Sequence, residues 1–239
     1  MSLIENLEKI QIRIEEACGR AERPVEEVTL MAVSKGQTAE AVREAMDAGL
    51  TLFGENRIQE ALLKRSQCSS SAHWHLIGHL QTNKAKDAVR SFEMIHSVDS
   101  VNLAQKLNSQ AEKLARSVPI LLQVNIGGES SKFGLSPELL ISELPTLNQL
   151  MRLEIHGLMI IPPWSKEPEE MRTFFRRLRE LKTEAEQILQ APLSELSMGM
   201  SNDFEVAIEE GATTIRVGTA LFGPRKPTKA QQIHPSNPE

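Results

Sequence analysis

Cysteine is almost absent: Cys18 and Cys68 are the only two in 239 residues, and neither belongs to a CxxC pattern. No disulfide framework can be built from them, which fits a reducing compartment. Basic residues are outnumbered, 27 against 32 acidic ones, for a net charge of -5. A nucleic-acid surface rests on clustered Lys and Arg, so that class is disfavoured, whereas small anionic ligands at local sites are not. The opening segment, "MSLIENLEKIQIRIEE", has no long apolar run, because acids interrupt it from Glu5 onward. It has neither the basic flank and apolar centre of a signal peptide nor a spanning stretch, and the expected location is the cytoplasm. Also missing is GxGxxG after the first strand candidate, the fingerprint most often shown by a doubly wound dinucleotide-binding sheet.

What is present is a long alternation. Leu3, Leu7, Ile10, Ile14 and Ala17 recur at three- and four-residue spacing, which predicts an N-terminal amphipathic helix. Eight short apolar runs then read as strands: "VTLMAVS", "LTLFGE", "WHLIGH", "EMIHSV", "PILLQVNI", "EIHGLMI", "LSELSMG" and "TIRVGTA". Helix-period segments such as "AEAVREAMDAG" and "NLAQKLNSQAEKLAR" lie between them. Strands alternating with helices make a parallel sheet, and eight such units close a (β/α)8 barrel. The expectation is a single-domain α/β barrel over residues 1–225, with an extra N-terminal helix. The last stretch, 226–239, is proline-rich without apolar periodicity and reads as a flexible tail, its Lys226 and Lys229 solvated.

In such a barrel, polar residues at the C-terminal ends of strands face the usual active-site mouth. Lys35 ends the first apolar run, where it is either a loop cation or an amine in a partly desolvated pocket, ready to form a Schiff base. Arg216 shares one face of the eighth strand with Thr214 and Gly218, opposite Ile215 and Val217. A guanidinium there needs either an anionic or acceptor ligand or a structural carboxylate partner. Gly218 and Thr219 open the next loop with close backbone approach and a hydroxyl. Ser201, Asn202 and Asp203, with Gly199, precede a short helix as an anion cradle, although Asn202 and Glu205 also have capping-box spacing. Asn56 is placed to cap a helix with Gln59 three residues on. His79, Lys84, Lys86 and Lys132 fall in loops or helix starts near the same mouth. His73, His75 and His79 raise a metal reading, which an extended strand disfavours because it separates the first two from the third.

"AVSK", "FGEN", "WHLIGHLQTNK", "QVN" with "SSKFG", "GLMIIP", "LSMGMSNDF" and "GATTIRVGTALFG" together resemble the pyridoxal-phosphate homeostasis proteins, single-domain relatives of the alanine racemase N-terminal barrel. The resemblance covers about residues 3 to 225, with its motifs in order. It implies that Lys35 holds pyridoxal 5'-phosphate covalently as a Schiff base. It implies further that Ser201, Gly218 and Thr219 hold the phosphate, that Arg216 faces the pyridine nitrogen, and that Asn56, His79, Asn83 and Met159 line the pocket. No metal is implied. One departure is that many relatives carry a second basic residue shortly after the lysine, where this chain has Gly36 and Gln37.

An arginine at the ring nitrogen does not favour the pyridinium that makes the cofactor a strong electron sink, so carbanion chemistry is disfavoured. The related racemases use a tyrosine as second base, and this chain has none. The expected function is a monomeric cofactor buffer or carrier, serving pyridoxal-phosphate-dependent apoenzymes and affecting amino-acid and keto-acid balance, with no catalysis of its own. The alternatives are a racemase-type amino-acid enzyme, with His79 as substitute base, and a metal-dependent hydrolase using His75 and His79.

Overall fold

The computed structural model describes residues 2–129 and 132–224. The tail expected at 226–239 lies outside them.

Eight parallel strands close into one barrel in sequence order, β1 (Thr29–Val33), β2 (Leu52–Glu55), β3 (His73–Leu76), β4 (Met94–Val98), β5 (Val118–Val124), β6 (Leu153–Ile160), β7 (Glu195–Met200) and β8 (Thr214–Val217), with β8 pairing back to β1. All eight coincide with the eight apolar runs. The closing register, Leu30 beside Ile215 and Met31 beside Arg216, sets the height of Arg216 within the barrel. β3 stops three residues earlier than its apolar run, which leaves His79 in the loop that follows.

The helices are α1 (Leu3–Arg20), α2 (Ala39–Asp47), α3 (Ile58–Arg65), α4 (Ala85–Ser91), α5 (Val101–Lys113), α6 (Pro137–Asn148), α7 (Arg172–Leu189), α8 (Phe204–Glu209) and α9 (Thr219–Phe222). α1 buries the five periodic residues read from the sequence. Its start is a capping box: Ser2 Oγ accepts from Glu5 N–H at 3.2 Å, and the Glu5 carboxylate accepts from Ser2 N–H at 2.8 Å. α1 is pinned to α8 by a two-pronged Arg13–Glu205 pair, and Asn6 donates to the Leu221 carbonyl in α9 at 3.0 Å. The extra helix therefore covers the last turn of the barrel.

Two expected caps do not form. α3 begins at Ile58 after Arg57 with no side-chain cap, so Asn56 does not cap with Gln59. At α8, Asn202 donates to the Ser165 carbonyl and Glu205 is taken by Arg13, so their capping-box spacing is unused. Asp203 occupies the cap position but accepts from Met200 N–H at 2.6 Å instead.

Alternation along each strand divides the core. Outward residues such as Ala32, Phe53, Trp74, Ile95 and Ile215 pack with the helices in one large cluster, and Phe53 stacks on Trp74 with ring centroids 5.4 Å apart. Met31, Val33 and Ile77 form a separate small cluster. A Cβ on Gly54 would sit 2.6 Å from Met31 Sδ, so a larger residue there would push the Met31 side chain out of this cluster.

Candidate functional site

A cavity of about 460 Å³ opens at the C-terminal ends of the strands. Lys35, Gln37, Asn56, His79, Ser201, Arg216, Gly218 and Thr219 line it, so seven of the nine expected site residues meet at one place, with Gln37 in addition. The other two do not join them. Asn83 lines a neighbouring hollow with Thr82, Asp99 and Ser100. Met159 is fully buried in β6 and does not line the cavity. For both, the resemblance to the family gives a place in the sequence and says nothing of where a side chain turns.

Lys35 is fixed by its neighbours. Ser34 N–H donates to the Gly54 carbonyl at 3.1 Å, tying the end of β1 to β2. On the side away from the cavity, Lys64 Nζ from α3 donates to the Ser34 carbonyl at 2.6 Å and to Glu55 Oε1 at 2.5 Å, while Ser34 Oγ donates to the same oxygen at 2.7 Å. Glu55 and Lys64 are both buried. Desolvation pushes the Glu55 carboxyl above the usual carboxylate range, against the pull of Lys64 and Ser34. This buried clamp holds the peptide unit from which Lys35 projects.

Gly36 follows with φ of +73°, a left-handed turn closed by Gln37 N–H to the Ser34 carbonyl at 2.9 Å and by Gly36 N–H to Glu60 at 3.2 Å. Gly36 thus makes the turn that sets Gln37 on the cavity.

At the far side, Ser201 Oγ accepts from Gly218 N–H at 3.3 Å and Ala220 N–H at 3.2 Å, joining the loops after β7 and β8 into one cradle of backbone donors and hydroxyls. Arg216 lies between this cradle and the barrel interior, 4% exposed. Its Nη1 donates to Ser197 Oγ at 2.8 Å and its Nη2 to the Ile160 carbonyl at 2.7 Å. Among the described residues no carboxylate pairs with it. Burial pulls its pKa down to about 10, with Asp203 opposing from a distance, so it stays charged at neutral pH. Burial in turn raises the Asp203 carboxyl.

His79 Nδ1 donates to Asp99 Oδ2 at 2.8 Å, and its ring stacks on Phe133 at 3.5 Å. Trp164 and Phe133, both largely exposed, form an apolar rim. Lys84 and Lys86 do not line the cavity, and Lys132 pairs with Glu129. The histidines of the "HWHLIGH" segment diverge: His73 pairs with Glu93, His75 lies 3.0 Å from His96, and His79 faces Asp99. No group of three or more potential metal ligands occurs among the described residues.

The residues missed in the sequence are Lys64, Asp99, Ser197 and His96. Lys64 reads as one more surface lysine of a helix. The only available signal was a polar residue inside an apolar strand run, as at Glu55, His96 and Ser197.

The cavity brings together an amine, which can meet a carbonyl, a guanidinium, which can meet an acceptor or anion, and N–H groups with hydroxyls, which can meet a phosphate. No helix among the described residues is long and apolar enough to cross a membrane. The alanine racemase N-terminal domain family matches residues 6–226. A pyridoxal phosphate homeostasis protein from Aquifex aeolicus is 44% identical over 227 residues, covering 95% of this chain and all of that one. The Escherichia coli protein of the same name is 37% identical over 229 residues, 94% of this chain and 97% of its own. Among solved structures, PipY of Synechococcus elongatus with PLP bound superposes with a TM-score of 0.82 at 43% identity, covering 93% of this chain and all of PipY. Alanine racemase from Clostridium difficile, at 17% identity and a TM-score of 0.71 over 57% of its length, shares the barrel fold. The chain belongs to the pyridoxal phosphate homeostasis protein family, built on the alanine racemase N-terminal barrel.

Proposed function

We propose that this chain binds pyridoxal 5'-phosphate in the cavity, with Lys35 as the covalent attachment point, and acts in cofactor homeostasis by holding and releasing it. The observation that carries this reading is the convergence of Lys35, Arg216 and the Ser201–Gly218–Thr219 cradle on one cavity, in a family whose member PipY has a structure with PLP bound. When bound, the cofactor supplies an aldehyde that forms a reversible imine with a lysine amine.

The chain's own residues do the rest. The cradle takes the phosphate through backbone N–H groups and the Ser201 and Thr219 hydroxyls. The buried Glu55–Lys64 clamp keeps Lys35 at a fixed reach from it. Arg216 presents its charge to the ring nitrogen and, as a donor-only group, holds that nitrogen as an acceptor. Asn56 lines the wall. His79, held by Asp99, can keep or take a proton at the mouth, where an incoming amine must lose one before it attacks. We read the protein as a cytoplasmic monomer supplying apoenzymes, with amino-acid and keto-acid balance as the downstream effect and no turnover of its own.

A racemase-type enzyme is the second reading, and the His79–Asp99 pair is the observation in its favour. Borohydride reduction of the protein with added pyridoxal phosphate, followed by peptide mass spectrometry, tests the site. A phosphopyridoxyl group on Lys35, lost in Lys35→Ala, is expected; a folded protein without it refutes the assignment. Turnover of alanine or serine that scales with enzyme and disappears in Lys35→Ala would favour the enzyme instead.

A further inference from the structure

Four polar side chains from four strands are hydrogen-bonded in line through the barrel interior, and three of them lie outside the cavity lining. Arg216 Nη1 on β8 meets Ser197 Oγ on β7 at 2.8 Å; Ser197 Oγ is 3.0 Å from His96 Nδ1 on β4; His96 Nε2 is 3.0 Å from His75 Nδ1 on β3. Arg216, Ser197 and His96 are buried and His75 is nearly so. A polar chain this deep is costly unless every member is satisfied.

The protons in the chain follow from that requirement. A guanidinium has donors only, so Ser197 Oγ accepts from Arg216. If His96 Nδ1 also donated to Ser197, the hydroxyl proton would have no acceptor among the described residues. The hydroxyl therefore donates to His96 Nδ1. A neutral His96 then carries its proton on Nε2 and donates to His75 Nδ1, which leaves the His75 proton on Nε2. Both rings are neutral: burial brings His75 down to about 4 and pushes His96 well below its ordinary value, with the Arg216 charge adding to the effect. Every bond in the line is donated away from the cavity.

We propose that Ser197 and His96 are positioning residues for Arg216, a hydrogen-bonded relay of fixed tautomers that holds the guanidinium in the orientation in which it meets the ligand's ring nitrogen. The inference rests on the pyridoxal-phosphate reading of the cavity and deepens it.

The test is nitrogen NMR on the full chain. With the protein labelled at histidine, His75 and His96 are expected as Nε2–H tautomers before any cofactor is added. With cofactor labelled at the ring nitrogen, an unprotonated, hydrogen-bonded pyridine shift is expected. His96→Leu should weaken cofactor binding about tenfold and move the ring-nitrogen shift, by loss of one oriented bond behind a charged donor. His96→Gln should restore both, because its amide can accept from Ser197 and donate to His75; Ser197→Ala repeats the break if His96→Leu does not fold. A proton on His96 Nδ1, a pyridinium shift, or unchanged binding and shift in both breaking variants overturns the relay. If the native chain forms no Lys35 adduct, the cofactor reading falls and the relay's role falls with it. The relay alone fails if the adduct forms but the tautomers or shift disagree.

Discussion

Among the described residues two cations are buried, Lys64 and Arg216, and they are treated in opposite ways. Lys64 lies away from the cavity, 2.5 Å from a buried carboxylate, and its bonds all serve the chain itself. Arg216 lines the cavity and, among the described residues, is held by a serine hydroxyl and a backbone carbonyl. A buried charge set against a carboxylate belongs to the architecture, while one given neutral partners is left with attraction to spend on something else. The contrast separates what holds Lys35 in place from what recognises the other end of a ligand.

The sharpest way to break the comparison is to remove Lys64. Lys64→Met strands the Glu55 carboxyl in a buried site and should cost about 3 kcal/mol of stability, seen as a lower urea midpoint. Adding Glu55→Gln should recover a large part of that loss, because the uncompensated charge disappears. If Lys64→Met is neutral, the clamp is not what fixes the end of β1.

Arg216→Leu should do the reverse. It removes a desolvated charge that no carboxylate pairs with, so stability should change by less than about 1.5 kcal/mol, within the range of ordinary core substitutions. Affinity for pyridoxal phosphate, measured by titration of the visible absorbance, should fall at least about tenfold. A variant that loses stability and keeps affinity would make Arg216 a second structural cation.

Acid should also distinguish the two sides. His75 has a folded pKa of about 4 against an ordinary 6.5. The unfolded chain then binds the extra proton first, so stability present at neutral pH is lost as pH falls from about 6.5 to about 4, by up to about 3 kcal/mol. His96 acts in the same direction. Glu55 has the opposite sign: its raised pKa gives stability that is present in acid and lost as pH rises through the folded value. Urea midpoints across this range should fall toward acid in the native protein. The fall should be smaller in a His75→Gln, His96→Gln double variant.

The contrast between the two cations was only half legible in the sequence. Period-two alternation placed Arg216 on the opposite face from Ile215 and Val217, and the end of an apolar run placed Lys35 at a strand terminus. All eight strands were visible for the same reason: a parallel strand covered on its outer side by helices must be an apolar run. Lys64 was not legible, because its helix shows lysine where surface helices normally do, and its partner Glu55 is reached only by folding α3 back over β2. Ser197 and His96 were not legible because their bonds cross the barrel, a relation that spacing along one strand does not encode. Asn83 shows the converse, a motif residue whose side chain turns to the adjoining hollow.

The smallest effect tests whether the clamp and the cavity are separable. Ser34 sits one residue before Lys35, yet its hydroxyl is bonded to Glu55 on the side away from the ligand. Ser34→Ala removes that one bond and leaves Lys64 donating to both the Ser34 carbonyl and Glu55. The expected cost is about 1 to 2 kcal/mol, the range for a buried hydrogen bond to a charged group. Cofactor affinity should stay within about twofold, because the peptide unit that aims Lys35 keeps its Lys64 and Gly54 bonds. A larger fall in affinity than in stability would mean that the serine hydroxyl itself helps to aim the lysine, and that the division between holding and recognising runs through Ser34 instead of between the two cations.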